Sequence, residues 1–154
     1  DGRGPHTVLE EWAEKKLETP LSKAIPQIYA GGKRYVASFA PLVFEAAGQG
    51  DAVAVGIVQT AADELVLHLN ACAAAFSGTG AIPCVRSGSL WKSPLLCREV
   101  EKRAGERYQF YEALMPPVYG ALTAAAILAG DNPDEAFRAQ FQNSLEEAKR
   151  LSQS

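Results

Sequence analysis

Between Asp51 and Phe76 the apolar residues Val58, Ala62, Leu65, Leu69, Cys72 and Phe76 recur at alternating steps of four and three. That spacing returns to the same side of an α-helix on every turn, so it predicts a helix over 51–76 with one buried face. At 1.5 Å per residue such a helix runs about 39 Å, long enough to serve as the spine of a domain. Asp51 is placed to cap its start, and Ser77-Gly78-Thr79-Gly80 to end it. Asp63, Glu64 and Asn70 fall largely off the stripe and read as a solvated face.

Everything else must pack around that spine. Residues 7–17 read as a helix, with Thr7 as N-cap and Glu10 completing a capping box. A second helix covers roughly 21–30, where Pro26 removes an intrahelical hydrogen bond and predicts a kink or break nearby, and Gly31-Gly32 ends it. Val36, Phe39, Ala40, Val43 and Ala47 predict one further helix from Tyr35 to Ala47. "AIPCVR" is short, apolar and bounded by turn residues, which suits a buried strand, and the aromatic-rich "RYQFYEAL" suits a second. Between them, Ser93-Pro94 reads as N-cap and first position of a helix to about Ala104. Pro116-Pro117 precedes a small-residue helix, "VYGALTAAAILAG". Asn132-Pro133-Asp134-Glu135 then starts an amphipathic one with Phe137, Phe141, Leu145 and Ala148 on one side. The fold class is therefore α/β, rich in helix, with about two strands. Two strands alone make a marginal sheet. The expectation is that partner strands lie upstream of Asp1, where the chain opens as Asp1-Gly2-Arg3-Gly4-Pro5 without a methionine.

Composition narrows the function. A net charge of −3 gives no electrostatic footprint for nucleic acid. No uninterrupted apolar run reaches membrane-spanning length, so no membrane partner is expected. Cys72, Cys84 and Cys97 are odd in number and widely spaced. They fit reduced, buried thiols of a cytoplasmic protein rather than a disulfide framework or a metal site. His6 and His68 accompany no nucleophile, and the charged "EEWAEKK" reads as a solvated helix face.

The stretch with chemical content is "IPCVRSGSLWKSPLL", where a strand hands over to a helix through a Ser-Gly-Ser corner. Gly88 has no side chain to obstruct a ligand, Ser89 and Ser93 offer hydroxyls, and the helix start offers N–H groups and a positive dipole end. In open α/β sheets, ligands lie beyond the carboxyl ends of strands, where this corner sits. A short glycine motif of this kind serves equally as a plain tight turn with a capping serine.

Three ordered segments carry a resemblance: "DGRGPHTVLEEW", then "FAPLVFEAAGQGDAVAVGIVQTAADEL", then "IPCVRSGSLWKSPLL" followed by "PPVYGALTAAAILAG". Together they resemble the C-terminal lobe of the N-acetylglucosamine kinases, which are BadF/BadG-type ATPases. That family belongs to the actin-like (ribonuclease H-like) superfamily, with sugar kinases and heat-shock-chaperone ATPases. "GSLWKS" is particularly close to the animal-type enzymes. The resemblance implies a nucleotide-binding lobe over 1–130, incomplete on its N-terminal side, followed by an amphipathic helix over 131–154. It also implies ATP binding by Gly88, Ser89 and Ser93, with ATP and Mg²⁺ required in the intact enzyme and an amino sugar phosphorylated at its 6-hydroxyl. The catalytic aspartate, the sugar site and both phosphate loops of the family fall upstream of Asp1. No catalytic or metal-binding residue is therefore assigned within this chain, and the chain alone is expected to be inactive. Its partner would be the N-terminal lobe of the same protein, and the resemblance allows a homodimer. The family's adenine-side threonine falls at about Pro26, ahead of Tyr29, where no hydroxyl is present, and many bacterial relatives carry Gly-Gly in place of Gly88-Ser89. From other classes, two readings stand beside the kinase. One is the ATPase that activates 2-hydroxyacyl-CoA dehydratases, whose iron–sulfur cluster needs cysteine ligands that Cys72, Cys84 and Cys97 are not spaced to supply. The other is a nucleotide-dependent regulator without phosphotransfer.

Overall fold

The computed structural model describes residues 4–152. The Asp1-Gly2-Arg3 opening of the first resemblance segment lies outside them. In chain order the elements are α1 (Val8–Leu17), α2 (Leu21–Ala37), α3 (Ala40–Gly48), α4 (Ala52–Ala73), β1 (Ile82–Arg86), α5 (Pro94–Ala104), β2 (Tyr108–Glu112), α6 (Pro117–Leu128) and α7 (Glu135–Leu151). Short 3₁₀ turns cover Ser89–Lys92 and Gly105–Arg107. The fold is helix-rich, with β1 and β2 paired in parallel and α5 as the crossover between them.

The chain divides into two compact units. The first holds the residues up to Cys84 together with Ser89–Phe110, and the second holds Val85–Gly88 together with the chain from Tyr111 onward. The core of the first unit is built on α3, α4 and α5. Ala46, Ala47, Ala54, Val58, Ala62, Leu96 and Val100 are buried there, with Val8, Trp12, Leu65 and Leu69 packed against them. Four of those seven buried residues are alanines, which bring helix backbones close together. In the second unit, Tyr119 of α6 packs in tilted ring contact with Phe137 and Phe141 of α7 at centroid distances of 6.2 and 5.1 Å.

Helix starts follow the side chains at the caps. Asp134 Oδ1 accepts from the Phe137 N–H at 2.9 Å and opens α7. Asp51 serves two helices at once. Its Oδ1 accepts from the Ala54 N–H at 2.9 Å, capping α4, while its Oδ2 accepts from the Val8 N–H at 2.9 Å. Thr7 donates to the same carboxylate at 3.0 Å and accepts from the Leu9 N–H at 3.2 Å. Two first-turn donors of α1, the Val8 and Leu9 N–H groups, are thus met by Asp51 at the start of α4 and by Thr7. Proline precedes α2 and can offer no capping side chain, so Glu14 of α1 accepts from the Leu21 N–H instead, at 2.8 Å.

Several expectations need correction. The spine ends at Ala73, three residues short of Phe76, which is 59% exposed; Cys72 is exposed as well. The buried positions on α4 are Ala54, Val58, Ala62 and Ala73, whereas Leu65 and Leu69 are half-buried at the margin of the core. The stripe from Tyr35 to Ala47 is split, because the helix stops at Ser38-Phe39 and restarts at Ala40-Pro41. In α2 the helix runs through Pro26 without a break, and the non-helical residue is Gly32 (φ 62°, ψ −167°), within the Gly31-Gly32 pair expected to end the helix. Glycine enters the left-handed region at little cost, so the chain yields there. By length and composition α4 could cross a membrane. Here it forms the central wall of a core, and its Asp63 pairs with Arg103 of α5 at 2.5 Å.

Candidate functional site

The face of α3 that carries Pro41, Phe44, Glu45 and Gly48 has helical spacing of three, one and three residues. Pro41, Glu45 and Gly48 on this face are exposed, whereas Phe44 also packs against the core beside Val43, Ala46 and Ala47. On α5, Leu96 and Val100 are buried in the core, Leu95 packs at its edge and also lines the groove, and Pro94 and Arg98 are exposed. These outward faces, with the 3₁₀ turn Ser89–Lys92, enclose a groove of about 830 Å³ within the first unit. That is the size of a pocket for a cofactor-sized ligand. Its walls are mainly apolar, and Ser38, Ser89, Ser93, Glu45, Lys92 and Arg98 supply the polar groups.

Two of the three residues expected to touch a nucleotide line this groove: Ser89 and Ser93. Ser89 is exposed at the head of the 3₁₀ turn, so its hydroxyl is open to solvent. Ser93 caps α5, its Oγ accepting from the Leu96 N–H at 3.4 Å. A serine hydroxyl carries one proton and two lone pairs, so Ser93 keeps its proton for a ligand acceptor. Gly88 stands immediately before Ser89 with φ +112°, is exposed, and is not among the lining residues. A Cβ built on it would meet nothing within 4 Å, so its glycine character answers to the backbone turn.

The helix N-terminus contributes less than its sequence suggests. Pro94 has no N–H, the Leu96 N–H is bonded to Ser93 Oγ, and the Cys97 N–H to the Ser93 carbonyl at 3.1 Å. Leu95 holds the remaining amide of that first turn. Positive charge for an anion comes instead from Lys92 and Arg98, which sequence reasoning did not assign. The signal was present for Lys92, inside "GSLWKS", but Arg98 becomes relevant only when α5 is laid beside α3. Phe44 and Glu45 enter for the same reason.

Magnesium prefers several oxygen ligands in octahedral array. The groove offers the Glu45 carboxylate beside two cations, and among the described residues no three His, Cys, Asp or Glu side chains gather around one point. Among the described residues, the groove lining supplies no such set of oxygen ligands. The cysteines are free thiols: Cys97 Sγ lies 3.3 Å from the Trp91 carbonyl, and half-buried Cys84 has its pKa raised, first by burial and then by the charge of Cys72. A second hollow, of about 850 Å³, lies within the second unit between the ends of β1 and β2 and the start of α6, and none of Gly88, Ser89 or Ser93 lines it.

No protein-family model, curated protein or solved structure gives a significant match to this chain. The resemblance to N-acetylglucosamine kinases therefore rests on the quoted motifs.

Proposed function

We propose that this chain is the nucleotide-binding C-terminal part of an ATP-dependent N-acetylglucosamine kinase with actin-like lobes, acting in cytoplasmic amino-sugar metabolism. The observation that carries the reading is the groove itself. A cavity of about 830 Å³ opens beside the turn that follows β1, and the motif serines Ser89 and Ser93 line it together with Lys92 and Arg98. The apolar walls suit a base and ribose, the hydroxyls supply directed hydrogen bonds, and Lys92 and Arg98 add positive charge to the lining. In this reading the chain's residues bind and orient ATP. The base that takes the proton of the sugar 6-hydroxyl belongs to the other lobe, and transfer depends on positioning by both.

The test is calorimetric titration of the chain with ATP, repeated on Ser89→Trp, which fills the groove from an exposed position. Saturable one-to-one binding that the tryptophan abolishes supports the reading. Absent binding, or binding that ignores the tryptophan, defeats it. A coupled assay with N-acetylglucosamine, Mg²⁺ and ATP should show no turnover by this chain alone. Turnover above background would place the catalytic base within it.

A further inference from the structure

β1 and β2 run in parallel and so end on the same side, where the ligands of open α/β sheets lie. Beyond those ends lies the second hollow, about 850 Å³ in volume, and every residue that lines it belongs to the second unit. Its wall is tied in place at two points. The Ala113 N–H donates to the Arg86 carbonyl at 3.2 Å, and the Gln142 side-chain amide donates to Met115 Sδ at 3.5 Å. Glu112 is the one carboxylate of the lining, and Arg86 pairs with it at 2.5 Å. Arg138 of α7 is the one cation; it is half-buried and, among the described residues, makes no ion pair. Asp134, one turn before it, has its Oδ1 occupied by the Phe137 N–H. The hollow therefore presents one uncompensated guanidinium beside the apolar surface of Tyr111, Leu114, Met115 and Tyr119. A guanidinium fork matches both oxygens of a carboxylate. Phosphate sites at helix starts draw on free backbone amides, and α6 opens with Pro116 and Pro117, which have no N–H. A single fork without those amides suits a carboxylate, and the aromatic and thioether walls suit a flat or apolar body behind it.

We propose that the hollow of the second unit binds a small organic carboxylate with an aromatic or apolar body. The carboxylate oxygens take the Arg138 guanidinium, and the body lies against Tyr111, Leu114, Met115 and Tyr119. This site shares no lining residue with the nucleotide groove, so it holds or fails independently of that reading.

The experiment is a chemical-shift titration of the whole chain with 2-naphthoate, its neutral counterpart 2-naphthamide, and inorganic phosphate, using wild type, Arg138→Gln and Leu114→Trp. Leu114 is 81% exposed, so the tryptophan fills the hollow from the surface, and a thermal melt of each variant checks that it is folded. In wild type, 2-naphthoate should bind saturably, move the amides of Ser87, Tyr111 and Tyr119, and bind about tenfold more tightly than 2-naphthamide, as expected for a charge-assisted pair. Arg138→Gln should weaken 2-naphthoate about tenfold and leave 2-naphthamide within about twofold. Leu114→Trp should abolish the binding of both. Absent 2-naphthoate binding, equal affinity for acid and amide, or an Arg138→Gln variant that binds 2-naphthoate as wild type does overturns the site. Phosphate that moves the same amides at lower concentration than 2-naphthoate overturns the carboxylate assignment.

Discussion

The two units are similarly rich in apolar residues in proportion to their length, yet use them to different effect. In the first, α3, α4 and α5 bury seven residues in one cluster, among them Leu96, Val58 and Val100 with almost no exposed surface. In the second, α6 reads "PVYGALTAAAIL" and is more apolar than most helices, yet none of its residues is buried. Val118, Leu122, Ile127 and Leu128 are all exposed, Leu128 at 89%. A helix that is apolar all round needs neighbours on several sides before its composition becomes burial. Alternating large and small residues on the α4 stripe let α3 and α5 approach closely, whereas α6 meets α7 chiefly through one tyrosine in tilted contact with two phenylalanines. What separates the units is where apolar residues sit relative to neighbouring elements.

The contrast can be broken most directly by truncation. Leu96→Ala, at a fully buried position, should cost about 2–5 kcal/mol of stability as a cavity. Leu128→Ala, the same chemical change on α6, should stay within about 0.5 kcal/mol. Urea unfolding of both variants measures the difference. Equal losses would mean that the two units share one level of packing. Native-state hydrogen exchange sharpens the point, since the amides of α4 should be far better protected than those of α6.

Next in size is the backbone at the corner. Gly88 lies at φ +112°, so Gly88→Val should cost about 1–2 kcal/mol through strain alone, with space for the side chain itself. Because the groove is lined by Ser89 and Ser93 but not by Gly88, a folded Gly88→Val protein should lose stability more than ATP affinity. A thermal melt beside an ATP titration separates the two.

The junction of α1 and α4 predicts an acid response confined to the first unit. Asp51 has its pKa lowered below the ordinary carboxylate value, first by the Ala54 N–H, then by the Val8 N–H, with burial acting in opposition and Thr7 adding to the lowering. A carboxylate depressed in the folded state stabilises the protein above its unfolded pKa and loses that contribution as pH falls through the folded one. Stability should therefore decline on acidification below about pH 4, and Asp51→Asn should flatten that part of the profile. A profile of melting temperature against pH that is identical for both proteins would remove Asp51 from the account. The smallest effect belongs to the α4–α5 surface. Arg103 pairs with Asp63 and with Glu99, and Asp63 is 65% exposed, so Arg103→Gln should cost no more than about 1 kcal/mol.

Much of this architecture is legible in the sequence because its signals are local. Thr7, Asp51, Ser93 and Asp134 all cap the helices that they announce, since a short polar side chain satisfies amides two or three residues away. Both strands stand where their β-prone residues place them. Periodicity misled at the end of α4, because Phe76 continues the apolar phase after the helix has turned off at Ala74. The site was legible in part. Ser89 and Ser93 lie in one continuous stretch, whereas Phe44 and Glu45 reach the groove from a helix some fifty residues earlier. Only the packing of α3 beside α4 and of α4 beside α5 creates that proximity, and no local pattern records it.

Ser93 has one oxygen committed in two directions. It holds the Leu96 N–H at the start of α5, and it faces the groove. Leu96 is itself the most deeply buried large side chain of the first unit, so the bond that orients the rim also aligns the core beneath it. Under the proposed nucleotide reading, affinity and folding are not independent traits at this position. Variation that reshapes the rim through Ser93 is filtered by stability first, and ligand preference drifts more freely through Ser89, whose hydroxyl caps no helix.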